Sequence, residues 1–118
     1  MSHKERKRIA HQVLQECNKQ VEKWGEQNHP CLDQTLLNRP GGCTPERMCQ
    51  HYEIPSEGRA KFMCDNAFKT KQGTYSHILV EEVAEAISEQ DPVKRREELV
   101  QVAAVAIAQI EKIDRVGK

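Results

Sequence analysis

The chain has 118 residues, 31% of them charged, and its 18 Lys and Arg balance its 18 Asp and Glu to a formal net charge of zero. This length fits one domain, residues 1–118, with its own core, and the balanced charge argues against a general nucleic-acid or membrane-surface binder. No apolar run reaches membrane-spanning length and no leader pattern opens the chain, so we expect a cytoplasmic protein with no membrane partner.

The cysteines are five in number and contain no C-x-x-C pair: Cys17, Cys31, Cys43, Cys49 and Cys64. An odd count without such pairs is unlike a disulfide framework or a zinc ribbon, so reduced thiols are expected. A zinc site that borrows His29 or His51 is an alternative, but the spacings match no closed structural site.

The first predicted element is an amphipathic helix from Lys4 to Trp24. Its apolar positions recur at helical steps and are Ile9, Val13, Cys17, Val21 and Trp24. The basic residues at its start are read as a solvated helix end. Gly25 ends the helix, and residues 28–42, rich in Pro and Gly, predict a long irregular connection.

Two capped helices are predicted next. Thr44 before a proline predicts a short helix that ends before Pro55. Ser56 then caps a helix that runs to Gln72, and Gly73 is expected to end it in the left-handed conformation.

The last two helices are predicted to form a hairpin. Thr74 caps a helix that runs to about Ser88, and Asp91 before a proline opens a final helix that reaches about Asp114. That final helix is apolar nearly all round, so it should be enclosed by other helices. With no alternating strand pattern, the sequence predicts an all-α fold, a helical bundle of about four to five helices.

Acidic residues recur at matching spacing on this hairpin. Glu82 and Glu85 are three residues apart on the first helix, and Glu98 and Gln101 are three apart on the second. Residues three apart share a helix face, and a short turn brings antiparallel helices together. Three carboxylates and an amide oxygen should therefore converge.

Such a cluster needs a cation, because like charges held close and partly buried repel and lose hydration. Oxygen ligands of this kind suit Mg²⁺, with Mn²⁺ as an alternative. The simpler interpretation is that Glu81, Glu89 and Glu97 are surface charges and that the remaining acids pair with the basic run Lys94–Arg96. That interpretation explains a single glutamate on a helix more easily than it explains two pairs with the same spacing.

The two pairs resemble the E-x-x-E and E-x-x-D signature of the MazG-like all-alpha nucleotide pyrophosphohydrolases, with twelve residues between them and Gln101 in place of the final Asp. Residues 24–29 are similar to the Trp, Gln and His cluster that precedes the first acidic pair in that family. Residues 102–105 are similar to its apolar last helix.

The resemblance implies hydrolysis of a nucleoside triphosphate to the monophosphate and pyrophosphate by a homodimer or homotetramer. The metal ligands are then Glu82, Glu85, Glu98 and Gln101. Glu81 is the carboxylate that is left to order the attacking water. The candidate substrate contacts are Trp24, Gln27, Asn28 and His29 for the base and Lys61 for the phosphates.

Two other classes of function stay open. One is a noncatalytic helical interaction module, whose apolar last helix is simply an oligomer interface. The other is nucleic-acid binding through the basic residues 4–8 or 94–96, which predicts salt-sensitive binding without turnover. Pyrophosphate release that depends on a metal separates the enzyme from both.

Overall fold

The computed structural model describes residues 3–117 and is built of helices. They are α1 (His3–Trp24), α2 (Gln34–Leu37), α3 (Pro45–His51), α4 (Glu57–Lys69), α5 (Tyr75–Ser88) and α6 (Pro92–Val116). No residue in the described range forms a strand, so the predicted all-α class is confirmed. None of these helices is long and apolar enough to pass through a membrane.

Hydroxyl caps begin α3 and α4, as the sequence predicts. Thr44 Oγ1 accepts a hydrogen bond from the Arg47 backbone N–H at 3.2 Å. Ser56 Oγ accepts one from the Arg59 N–H at 3.1 Å. Each bond satisfies a backbone donor that the first turn of a helix leaves without a partner.

The connection between α1 and α3 contains a short helix that the sequence reading missed. Asp33 caps α2, since its Oδ1 accepts from the Thr35 N–H at 2.9 Å. This turn of helix carries apolar residues into a small core made of Leu32, Leu36 and Met48. The prediction of a wholly irregular connection over residues 28–42 is therefore wrong for residues 34–37.

The end of α4 also differs from the prediction. The helix ends at Lys69, and the left-handed residue of the following turn is Lys71, with φ of 63°. Gly73 does not adopt a positive φ. A glycine is required at this position because the Phe68 ring occupies the space that the Cβ of any other residue would need.

The chain divides into two compact units, Leu32–Val105 and the residues on either side of it. The first unit contains α2 to α5 and the first part of α6, and the second contains α1 and the last part of α6. The single domain predicted from the sequence stays a prediction.

Within Leu32–Val105, α4 packs against α5, and α3 packs against both. The contact faces carry small side chains, among them Ala60, Cys64 and Ala84, all buried. Cys49 of α3 is fully buried, and its Sγ lies 3.1 Å from Ser88 Oγ on α5. Small residues let the helix backbones approach closely, which holds α5 firmly in place.

In the other unit, two ion pairs join the start of α1 to the end of α6. Arg6 Nε donates to Glu111 Oε1 at 2.6 Å, and Arg8 Nη2 donates to Asp114 Oδ2 at 3.2 Å. Glu111 is buried, and its contact with Arg6 holds the pKa of that carboxyl below its usual range. Arg6 and Arg8, two of the basic residues near the start of the chain, thus bind within the chain.

Much of the predicted apolar surface is exposed. Of the α1 stripe only Ile9 is buried, while Val21 is 57% and Trp24 61% exposed. On α6, Leu99 and Val100 are 51% and 54% exposed. Within the part of the chain that the structure describes, these two residues of α6 are not covered, so the expectation that other helices enclose α6 stays a prediction for an assembly of copies.

Candidate metal centre

Three glutamate side chains from α5 and α6 come together. One carboxylate oxygen from each of Glu82, Glu85 and Glu98 lies within 4.8 Å of the other two. Glu82 and Glu85 share a face of α5, as their spacing predicts. Among residues 3–117 no other group of three or more His, Cys, Asp or Glu side chains brings its ligand atoms this close.

The start of α5 is held by a reciprocal cap. Thr74 Oγ1 accepts from the His77 backbone N–H at 3.2 Å, and His77 Nδ1 accepts from the Thr74 backbone N–H at 3.2 Å. Two backbone donors of the first turn are satisfied in this way. The cap and the packing on α4 fix the rotation of α5, and with it the face that carries the acids.

The turn into α6 is held by side chains as well. Asp91 Oδ1 accepts from the Val93 N–H at 3.1 Å, which caps the first turn of α6. Arg95 Nη1 donates to the Glu89 carbonyl at 3.0 Å and to the Gln90 carbonyl at 3.4 Å. The chain therefore reverses within three residues and sets Glu98 against the α5 acids.

The pKa values of two glutamates in this cluster are raised. Burial raises the pKa of Glu85 to about 7, helped by a hydrogen bond with Glu98 and by the nearby charges of Glu82, Glu98 and Glu81. Burial, opposed by a hydrogen bond with Glu85, also raises the pKa of Glu82. The group therefore still binds protons as the pH approaches neutral.

One carboxylate oxygen of the group has no partner. Glu82 Oε2 is buried and makes no hydrogen bond. A buried polar atom without a partner costs about 1–3 kcal/mol, more for a charged group. Three neighbouring carboxylates, one of them with a buried oxygen that has no partner, fit a hard divalent cation, which takes oxygen ligands.

The basic run Lys94–Arg96 does not neutralise these acids. Arg95 is bound to the carbonyls of the turn. Within the described range no Lys, Arg or His forms an ion pair with Glu82, Glu85 or Glu98. The simpler interpretation, in which these acids pair with that run, is thus not what the chain does.

Glu81, the candidate for ordering water, lies near a thiol that sequence reasoning did not connect with it. Burial, and after it the interaction with the Glu81 carboxylate, raises the pKa of the buried Cys64 thiol on α4 to about 11. The thiol is therefore protonated at neutral pH. The sequence placed Cys64 only on an apolar stripe, and nothing in its spacing indicates this neighbour.

Two further candidates lie in the same unit as the acids. Lys61 is exposed, and its Nζ is 3.4 Å from Asp65 Oδ2 on the same helix. Gln101 lies one turn after Glu98 on α6, and its side chain is exposed. Their roles in phosphate and metal binding stay predictions.

The candidate base contacts belong to the other unit. Trp24 ends α1, with the Lys23 ammonium 4.8 Å from the centre of its ring. Gln27, Asn28 and His29 follow outside any helix and are exposed. Their contact with a substrate base stays a prediction.

The chain was compared with protein-family models, with curated proteins and with solved structures, and none of the three comparisons finds a match. The MazG-like family is therefore not identified by them. The local resemblance of the acidic pairs and the geometry of the three carboxylates are what bear on function.

Proposed function

We propose that the protein hydrolyses a nucleoside triphosphate to the monophosphate and pyrophosphate with a divalent cation, Mg²⁺ or Mn²⁺, at Glu82, Glu85 and Glu98. The observation that carries the proposal is the convergence of these three carboxylates, one of which, Glu82, also has a buried oxygen without a hydrogen-bond partner. The resemblance of the acidic pairs to the MazG-like signature selects the reaction from among those that a carboxylate-bound cation supports.

The three glutamates serve to hold the cation. When bound, it would neutralise phosphate charge and lower the pKa of a bound water. Glu85 must give up its proton to become a ligand, because a protonated carboxyl is a poor one. Its raised pKa therefore places loading of the site near neutral pH.

Glu81 and Lys61 have supporting roles. Glu81 orders the attacking water and accepts its proton at the carboxylate, which lies near the protonated Cys64 thiol. Lys61 binds a phosphate oxygen after it leaves Asp65. Both partners of that ion pair are 64% exposed, and such a pair contributes about 0–1 kcal/mol, so exchange for a phosphate costs little.

The working unit is proposed to be a homodimer or homotetramer. Large apolar side chains on α1 and α6 stay exposed in one copy, among them Trp24 and Val93, the latter 69% exposed. Exposed apolar surface of this extent is typical of a protein interface. With α1 inside such an assembly, Trp24 and residues 27–29 are the proposed contacts for the base.

A noncatalytic helical interaction module is the second candidate, and the same exposed side chains favour it. It accounts for the apolar surface without chemistry, but it gives no reason for an orphaned carboxylate oxygen. Nucleic-acid binding loses support, because Arg6, Arg8 and Arg95 are engaged within the chain.

The test is a panel of ribo- and deoxyribonucleoside triphosphates with Mg²⁺ or Mn²⁺, scored for pyrophosphate and for the monophosphate. The expected result is equal release of both products from at least one substrate, abolished by a chelator. Release of inorganic phosphate instead would mean a different bond is cut. No turnover with any substrate, together with a stable oligomer, would favour the interaction module.

A further inference from the structure

A cleft between α4 and the first half of α5 is not used by the proposed chemistry. It consists of two adjoining cavities of about 230 and 280 Å³ that share Met63 and His77 in their walls. Sites that enclose drug-sized ligands span roughly 300–1,000 Å³. Each cavity therefore fits one ring system, and the two together fit a ring with a substituent. This is called the α4–α5 cleft below.

The α4–α5 cleft lies on a different side of α5 from the metal centre. Val80 lines the cleft, and Glu82 belongs to the acidic group. Residues two apart on a helix are separated by about 200° around its axis, so the two side chains project in nearly opposite directions. A ligand in the cleft is thus separate from one held by the carboxylates.

His77 offers the cleft a hydrogen-bond donor. Its Nδ1 lies 2.7 Å from Thr74 Oγ1 and accepts from the Thr74 backbone N–H, which can only donate. Nδ1 is therefore unprotonated, and the neutral ring carries its proton on Nε2. Because His77 lines both cavities, the Nε2–H is available to an acceptor atom of a ligand in the cleft.

The remaining walls combine flat apolar surface with amides. Phe62 is 60% exposed, and the Arg59 guanidinium carbon lies 5.8 Å from the centre of its ring. Met63 continues this surface. The amides of Asn66 and Gln72 line the same cavity, and each offers a donor beside an acceptor.

We infer that the α4–α5 cleft binds a nucleobase, as part of a nucleoside or nucleotide separate from the molecule at the carboxylates. The cleft has groups that match both the flat face and the polar edge of a base. Its flat ring stacks on Phe62 and Met63, and its edge, which alternates donors and acceptors, pairs with the amides and with His77 Nε2–H. An apolar peptide side chain would leave those polar groups without partners.

The test is titration of the full-length protein with adenosine, guanosine, cytidine and uridine in the presence of a chelator, followed by amide NMR shifts. The expected result is saturable binding of at least one nucleoside, with the largest shifts at Met63 and His77. Phe62→Ala should weaken it about tenfold or more, since stacking of a base on an aromatic ring contributes about 1–3 kcal/mol. Gln72→Ala should change the preference among the four bases.

Two controls make the outcome decisive. Glu97→Gln changes an exposed side chain on α6 outside the cleft and should leave binding unchanged. Toluene supplies a flat ring without a polar edge and should bind more weakly than the preferred nucleoside. No saturable binding of any nucleoside, equal binding of toluene, or a Phe62→Ala variant that binds normally would each overturn the assignment.

Turnover assays show whether the base that binds in the cleft belongs to the triphosphate substrate or to a second molecule. If the preferred nucleoside inhibits triphosphate hydrolysis competitively, the cleft holds the substrate's own base and the claim of a separate site fails. If inhibition is absent or noncompetitive, the separate site stands. The binding measurements need neither metal nor turnover, so failure of the proposed hydrolysis leaves them intact.

Discussion

Glu85 of α5 and Glu98 of α6 each place a carboxylate oxygen within 4.8 Å of the other. Burial, the interaction with Glu98 and the neighbouring charges raise the pKa of Glu85 to about 7. Holding these acids together near neutral pH destabilises the folded protein, and a bound cation would offset that effect. The free energy of unfolding should therefore depend on both the pH and the binding of a metal ion.

The first prediction concerns stability against pH in the metal-free protein. Folded Glu85 holds its proton up to about pH 7, whereas the ordinary value for a glutamate is 4.5. Between these values the folded state binds more protons than the unfolded state, so the free energy of unfolding should fall as the pH rises. Urea unfolding with a chelator, from about pH 4 to about pH 8 so that both pKa values are covered, measures how the free energy of unfolding changes with pH.

A matched pair of variants assigns that slope. Glu85→Gln should flatten it, because the titrating group is gone, whereas Glu97→Gln changes an exposed acid on α6 and should keep it. If Glu85→Gln keeps the wild-type slope, then Glu85 is not the group that titrates. Saturating Mg²⁺ should reverse the slope, because metal binding requires the ionised carboxylate.

The second prediction is that Glu85→Gln and Glu98→Gln each lose most turnover while they keep the fold. Each substitution removes a ligand charge and weakens metal binding, but it also relieves repulsion, so the metal-free protein should be as stable as the wild type or more so. Magnesium-dependent pyrophosphate release and thermal unfolding are the two measurements. Near-normal turnover in either variant would remove that residue from the set of ligands.

The third prediction is that the protein associates with itself at micromolar concentration, because Leu99 and Val100 are more than half exposed on α6. Sedimentation should show a species heavier than the 13.5 kDa chain. Val100→Glu should shift the equilibrium towards the single chain, since it places a charge in an apolar interface, whereas Val100→Leu should not. A single 13.5 kDa species for the wild type would contradict the prediction.

Local signals in the sequence were enough to predict most helix starts. Thr44, Ser56 and Thr74 act as caps because a hydroxyl and the backbone that it satisfies lie within three residues of one another. The gathering of the three acids needed only two spacings and one short turn. Both kinds of inference depend on contacts within one helix or one hairpin.

The features that were missed depend on contacts between distant residues. The role of Gly73 is set by the Phe68 ring and not by its own φ. Cys64 and Glu81 are neighbours on two different helices, and no local pattern predicts how those two helices are aligned. The exposure of Trp24 could not be read from periodicity, because an apolar stripe looks the same whether the chain or a partner covers it.

The last prediction concerns Gln101, which stands where the MazG-like signature has an aspartate. Gln101 lies one turn after Glu98 on α6, and its side chain is exposed. If it ligates the cation or orients its water, Gln101→Asp adds a fourth negative charge, tightens magnesium binding and lowers the magnesium concentration for half-maximal rate. Gln101→Leu removes the oxygen and should raise that concentration.

Tighter metal binding need not give faster turnover, because only interactions that are stronger in the transition state than in the ground state raise the chemical rate. The magnesium concentration at half-maximal rate is therefore the readout for Gln101, and the maximal rate is recorded separately. The wild type, Gln101→Asp and Gln101→Leu are titrated side by side. Three indistinguishable magnesium curves would mean that Gln101 faces away from the cation, and Glu81 would then be the next candidate for the remaining ligand.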